Sequence, residues 1–163
     1  MQHDHTDFHD QRVLMKSRET RPIEILLVED SPGDIRLTRE AFHDAKVRNN
    51  IAVVGDGLQA MAYLKQENEY ASAVRPDLIL LDLNLPRMNG FEVLDAIKVD
   101  ESLKRIPVVI LTTSQAEQDI IRSYNLHANA YVTKPFDLEQ FVVAIKAIEG
   151  FWLEIVRFPN GKT

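Results

Sequence analysis

The sequence predicts a doubly wound α/β domain: an open five-stranded parallel sheet with helices on both faces. Three observations carry that reading. Five short apolar or β-branched runs alternate with five segments of helical periodicity, and parallel strands need right-handed, usually helical crossovers. The run Leu78, Ile79, Leu80, Leu81 leaves almost no polar face, as suits a strand covered on both sides. Finally, the unusual polar residues fall where strand candidates end: Glu29 and Asp30 after the first, Asp82 after the third, Thr112 after the fourth and Lys134 after the fifth. In open α/β sheets that carboxyl edge is where ligands bind.

Taken in order, residues 1–20 carry His3, His5 and His9 among Asp4, Asp7 and Asp10, with no sustained apolar period, and read as a disordered tail. Those side chains are suitable transition-metal ligands, but the tail shows no fixed ligand spacing or supporting shell. The domain is expected over 21–150. Its first strand spans Ile23 to Val28, and Ser31, Pro32 and Asp34 then read as N-cap, first helical residue and N3 acid. That helix runs through Ala45, with Ile35, Thr38, Phe42 and Ala45 on its inner face. A second strand, Asn50 to Val54, leads through Asp56 and Gly57 into a helix carrying Leu58, Met61, Ala62 and Leu64.

After Asp82, the residues Asn84, Leu85, Pro86, Arg87, Met88, Asn89 and Gly90 have loop composition. Phe91, Leu94 and Ile97 then fit the inner face of a third helix. Ile106 to Leu111 is the fourth strand, with Pro107 tolerable at its start. Ser114 and Glu117 have capping-box spacing for a fourth helix with Ile120, Ile121 and Tyr124. His127 sits where a helix end often places Gly and reads as a tolerated left-handed residue. Ala130 to Thr133 is the fifth strand, and Asp137 caps the last helix.

Composition sets bounds on function. The chain has 163 residues, 45% hydrophobic and 27% charged, which fits one domain plus a tail. No apolar run approaches the ~20 residues of a membrane span, and a cytoplasmic location is the expectation. The net charge of -6 speaks against DNA as a partner, because phosphate backbones recruit Lys and Arg patches. Without cysteine there is no disulfide, thiol catalysis or thiolate metal site.

The carboxyl-edge residues suit phosphoryl chemistry. Carboxylates crowded at 4 Å repel by as much as ~4 kcal/mol per pair at an effective dielectric near 20. Lys134 supplies one compensating charge, and Mg2+ held by carboxylates, a carbonyl and waters would supply two. An aspartate can attack phosphorus to form an acyl phosphate while magnesium and Lys134 neutralise the transferring group. Thr112 can donate a hydrogen bond to one of its oxygens. A metabolite phosphohydrolase could use the same nucleophile, but it needs a second acid-base carboxylate and a cap or pocket, and no insertion is large enough to build one.

Glu29-Asp30, Asp82 in Leu-Leu-Asp-Leu-Asn-Leu-Pro, Pro86 through Gly90, Thr112, Tyr131 and Lys134-Pro135 together resemble the response-regulator receiver domains of two-component signalling, over roughly residues 22–150. The resemblance implies the flavodoxin-like strand order 2-1-3-4-5. It implies that Asp82 accepts phosphate from a sensor histidine kinase or phosphotransfer protein, and that Glu29, Asp30, Asp82 and the Asn84 carbonyl hold Mg2+. Lys134 and Thr112 would bind the phosphoryl oxygens, Tyr131 would report the switch with Thr112, and the Lys134-Pro135 bond would be cis. Glu29 stands where Asp is commoner, and His127 where Gly is frequent; neither removes a chemical role. Asn84 and Ser114 occupy positions that influence phosphate lifetime in similar proteins. A degenerate, purely scaffolding receiver would have lost an acid, the Thr or the Lys, and all are present.

Thr112-Thr113-Ser114 and the extension from Phe151 to Pro159 look most like the phytochrome-associated response regulators, which implies a kinase of phytochrome type. Residues 151–163 are expected to continue the last helix rather than to form an effector domain, so output should run through protein contacts. On that helix Leu138, Phe141, Ile145, Ile148, Trp152 and Ile155 form a stripe suited to the sheet. Val143, Ala147 and Phe151 form a second stripe, with Val156 and Phe158 beyond the sheet's reach. A homodimer through Val143, Ala147, Phe151, Trp152 and Ile155 is the expectation; the alternative is an extension folded back on its own domain.

Overall fold

Parallel pairing brings the carboxyl ends of all five strands to one edge. In the computed structural model, β1 (Ile23–Val28), β2 (Asn49–Val54), β3 (Leu78–Asp82), β4 (Val108–Thr112) and β5 (Ala130–Thr133) lie in the order β2-β1-β3-β4-β5. The structure describes residues 21–112, 116, 117, 119, 120, 130–134 and 137–157, with backbone only at 112, 130 and 151–157. β3 is central, paired to β1 and β4, and its five residues are all buried. Burial on both faces is why its sequence is a continuous apolar run rather than an alternating one. The register sets Val28 beside Leu81, Asp82 beside Leu111 and Thr112 beside Thr133.

Two hydrophobic clusters sandwich the sheet. On one face, Ile25, Leu27, Leu80, Val109 and Leu111 meet Ala41 and Phe42 of α1 (Pro32–Asp44) and Phe141 and Ile145 of the final helix (Leu138–Arg157). On the other, Leu26, Ile79, Leu81 and Ile110 meet Ala60, Met61 and Leu64 of α2 (Gly57–Leu64) and Val93, Leu94 and Ile97 of α3 (Gly90–Val99). Successive strand residues point to opposite faces, so each strand feeds both clusters.

The helix starts follow from side-chain caps. Ser31 Oγ accepts the Asp34 N–H at 3.3 Å with Pro32 in the first turn, and Asp56 Oδ1 accepts the Gln59 N–H at 2.8 Å. Asn89 and Glu92 form a reciprocal capping box. Asp137 Oδ1 accepts from the Glu139 and Gln140 N–H groups at the start of the final helix.

The buried faces of the helices differ in detail from the apolar positions that stand out in the sequence. Leu58 is 49% exposed, and the buried face of α2 is Gly57, Ala60, Met61 and Leu64. The Asp56 cap fixes the first turn so that these positions, three and four apart, share a face and Leu58 lies about 100° round the helix. In α3 Val93 takes the buried place expected of Phe91, which is half-buried. Ala41 joins Thr38 and Phe42 on α1, while Ile35 is half-buried. β4 begins at Val108 rather than Ile106, because the Ile106 N–H is committed to Leu103 O in the preceding turn and Pro107 has no N–H to give.

The loop after β3 is clamped where two glycines permit close approach. A Cβ on Gly90 would overlap the Asp82 carbonyl oxygen and Leu83 Cα, and one on Gly57 would overlap the Met88 carbonyl. The Gly90 N–H also donates to Leu83 O at 3.1 Å, closing the loop on itself. Asp82 thus ends a strand whose following loop cannot drift. Among the described residues no helix is long and apolar enough to cross a membrane. Residues 1–20 and the expected Ser114 cap, Tyr124, His127 and Phe158 lie outside the described residues.

Candidate functional site

The acids that end β1 and β3 converge because those strands are neighbours. Carboxylate oxygens of Glu29, Asp30 and Asp82 all lie within 4.8 Å of one another. Glu29 and Asp82 are buried, at 1% and 3% exposure, while Asp30 faces solvent. Each buried carboxylate is held at both ends. Glu29 Oε2 accepts the Ser31 N–H at 3.3 Å and Asp82 Oδ1 accepts the Asn84 N–H at 3.0 Å. From the end of β5, the Lys134 ammonium donates to Glu29 Oε1 at 2.8 Å and Asp82 Oδ2 at 3.3 Å.

Burial and crowding perturb two of these groups. Desolvation, then a hydrogen bond and charge repulsion from Asp82, push the Glu29 carboxyl from 4.5 up to about 7, against the opposing pull of Lys134. For Lys134 burial works against the charge. Its hydrogen bonds to Glu29 and Asp34 and the charges of Asp82 and Glu29 outweigh that and hold the ammonium above its ordinary range. One lysine therefore carries the compensation for several acids.

Two members of the neighbourhood escaped the sequence reading. Asp34, read there only as a helix N3 acid, places Oδ2 2.9 Å from Lys134 Nζ. The first turn of α1 starts directly after Glu29 and Asp30, and that adjacency was the signal available. Arg87, at φ 69°, lies in the loop after Asp82 and pairs with the Asp56 cap of α2 at 3.6 Å. Being 62% exposed, it contributes little energy there but ties the loop to α2.

The other expected site residues are placed as follows. Thr112 ends β4 beside β5, with its side chain outside the described residues. Asn84 is exposed, one turn of the loop beyond Asp82. Tyr131 is half-buried on β5 against the cluster formed with α2 and α3. Pro135, and with it the Lys134-Pro135 bond, lies outside the described residues. On the final helix Val143 is 68% exposed and Ala147 is exposed, whereas for Phe151, Trp152 and Ile155 only the helical backbone is described.

An oxygen-only acid cluster suits hard divalent cations such as magnesium, manganese or calcium. Joined to a lysine on the carboxyl edge of a doubly wound 2-1-3-4-5 sheet, it defines the receiver class of signalling domain. Comparison with known proteins agrees: the model of the response regulator receiver domain matches residues 25–146. The chain belongs to that family, the receivers of two-component signalling. It is 49% identical over 145 residues to response regulator Rcp1 of Synechocystis sp., covering 89% of this chain and 99% of Rcp1. Among solved structures, the phosphorylated cyanobacterial phytochrome response regulator RcpA is 56% identical with a TM-score of 0.71, over 81% of this chain and 94% of RcpA. The Mn(2+)-bound form of Rcp1 is 51% identical with a TM-score of 0.70, over 82% and 96%.

The Glu29 shift has a sign that can be measured in chelator. Between pH 4.5 and about 7 the native carboxyl keeps a proton that the unfolded chain has lost, so the native state binds more protons. Its contribution to stability therefore falls as pH rises through that window and levels off above. Urea midpoints should show wild type and Glu29→Gln alike near the acid end, with the variant increasingly the more stable towards neutral pH. A gap that does not change with pH would contradict the shift.

Proposed function

We propose that this protein is a response regulator switched by phosphorylation of Asp82, with Mg2+ as its cofactor. The observation that carries the reading is the burial of Asp82 within 4.8 Å of two further carboxylates and 3.3 Å from a lysine ammonium. Glu29, Asp30, Asp82 and the Asn84 carbonyl are the magnesium ligands in this reading, and the bound ion would neutralise charge on the transferring phosphoryl group. The Asn84 N–H holds Asp82 Oδ1, which leaves Oδ2, facing Lys134, as the oxygen disposed to attack.

In the transfer, that oxygen forms a bond to phosphorus as the bond from phosphorus to the kinase imidazole nitrogen breaks, and the nitrogen keeps the electron pair. Lys134 and Thr112 then donate to the phosphoryl oxygens. The chain acts on no other substrate; its catalysis is confined to its own phosphorylation and slow dephosphorylation. The donor is a sensor histidine kinase of phytochrome type or a phosphotransfer protein, a reading supported by the phytochrome response regulators it resembles. A net charge of -6 supports protein rather than DNA as the output partner, in the cytoplasm.

Tyr131 is the output element. When Thr112 is drawn toward the phosphorylated Asp82, space opens for the half-buried ring to move inward and change the surface around β5. The final helix supplies a dimer interface. At 20 residues it is about 30 Å long. Phe141 and Ile145 face the sheet, whereas Val143 and Ala147 lie on an exposed side of the helix; in this reading the interface extends along the same helix to Phe151, Trp152 and Ile155. A two-fold pair is the commonest closed way to cover such a side.

Incubation with acetyl phosphate and magnesium, read by intact mass, should add one phosphoryl group to wild type and none to Asp82→Asn, whose amide is a far poorer nucleophile. Label on the variant at wild-type stoichiometry would move the acceptor elsewhere. By light scattering wild type should be a dimer and Val143→Asp/Ala147→Asp a folded monomer. A wild-type monomer at high micromolar concentration, with or without phosphate, would end the dimer proposal.

A further inference from the structure

Among the described residues three acids lie against the Lys134 ammonium, and two of them belong to the carboxylate cluster. Glu29 Oε1 lies at 2.8 Å and Asp82 Oδ2 at 3.3 Å; the third, Asp34 Oδ2, lies at 2.9 Å. An ammonium has three protons to donate, and these three acids compete for them. When Asp82 Oδ2 is phosphorylated, a phosphoryl oxygen takes its place beside Lys134, and Glu29 and Asp34 remain as the acids that compete with it for the ammonium.

Asp34 is the acid whose loss disturbs least. Its side chain is 29% exposed, against 0% for Glu29 and 4% for Asp82, so water can take over its hydrogen bonds. Its backbone, by contrast, is fixed. The Asp34 N–H caps onto Ser31 Oγ, and its carbonyl accepts from the buried Thr38 hydroxyl at 2.7 Å. A carboxylate on an anchored stem, one turn into α1, stays within reach of Lys134 whether or not it is in contact.

We propose that Asp34 is a positioning residue that competes with the phosphoryl group for Lys134. It weakens the lysine's hold on the phosphorylated state and draws the ammonium back when phosphate leaves. The inference rests on Asp82 as the phosphoacceptor. A negative charge so placed tunes how long the switch stays on without touching the phosphorus.

The test is the affinity for beryllofluoride, a phosphoryl mimic, at saturating magnesium, followed by fluorine NMR on the full chain. Asp34→Asn should bind the mimic about fivefold more tightly than wild type, the scale expected for a partly exposed ion pair. Asp34→Ala, which cannot accept from Lys134 at all, should bind at least as tightly. Ser31 still caps α1 in both variants, and far-UV circular dichroism checks the fold. In a Lys134→Met background the same Asp34 substitutions should change nothing, because Asp34 acts through the lysine. Unchanged affinity in the Asp34 variants, or an equal gain with and without Lys134, would overturn the competition while leaving Asp82 in place. Failure of wild type to bind the mimic would overturn the phosphoacceptor reading and this inference with it.

Discussion

Like-charge crowding at the end of the central strand is the constraint on which the rest of the site depends. Glu29 and Asp82 are buried beside each other with Asp30 within 4.8 Å, and repulsion of this kind reaches several kcal/mol per pair where water is excluded. The fold meets the cost in two ways. Backbone N–H groups of Ser31 and Asn84 bind one oxygen of each buried acid, and Lys134 crosses from β5 to bridge Glu29, Asp34 and Asp82. Burial and the neighbouring Asp82 also push the Glu29 carboxyl up to about 7, which favours its neutral form and eases the repulsion.

The same arrangement explains why the architecture is so strict around Asp82. A strand buried on both faces delivers the acid, and two glycines let α3 and the loop after β3 press against its carbonyl and against α2. Arg87 ties that loop to the cap of α2. Asp82 therefore sits where a loop, two helix starts and the ends of the neighbouring strands meet. Such a network is suited to convert a local event into a change of surface.

Much of this was legible in the sequence because the dominant signals are local. The continuous apolar run of β3, the alternation of strand and helix patterns, and the acids and lysine at strand ends all reflect burial and strand pairing. The caps at Ser31 and Asp137 are likewise written in neighbouring residues. Rotational details were not: Phe91 was expected on the inner face of its helix by spacing, yet Val93 takes the buried place there. Asp34 was visible as a helix-start acid, yet its pairing with Lys134 joins residues 100 positions apart in sequence through the packing of α1 beside β5's end, which no local pattern encodes.

Crowding of Glu29, Asp30 and Asp82 disfavours a full set of negative charges, and a divalent cation at the cluster would relieve it. Calorimetric titration of magnesium into metal-free protein, repeated in two buffers of different ionisation enthalpy, tests it directly. Near pH 6, where a carboxyl at about 7 is mostly protonated, each bound ion should release about one proton, and near pH 8 almost none. Heats at pH 6 that do not depend on the buffer would contradict the claim.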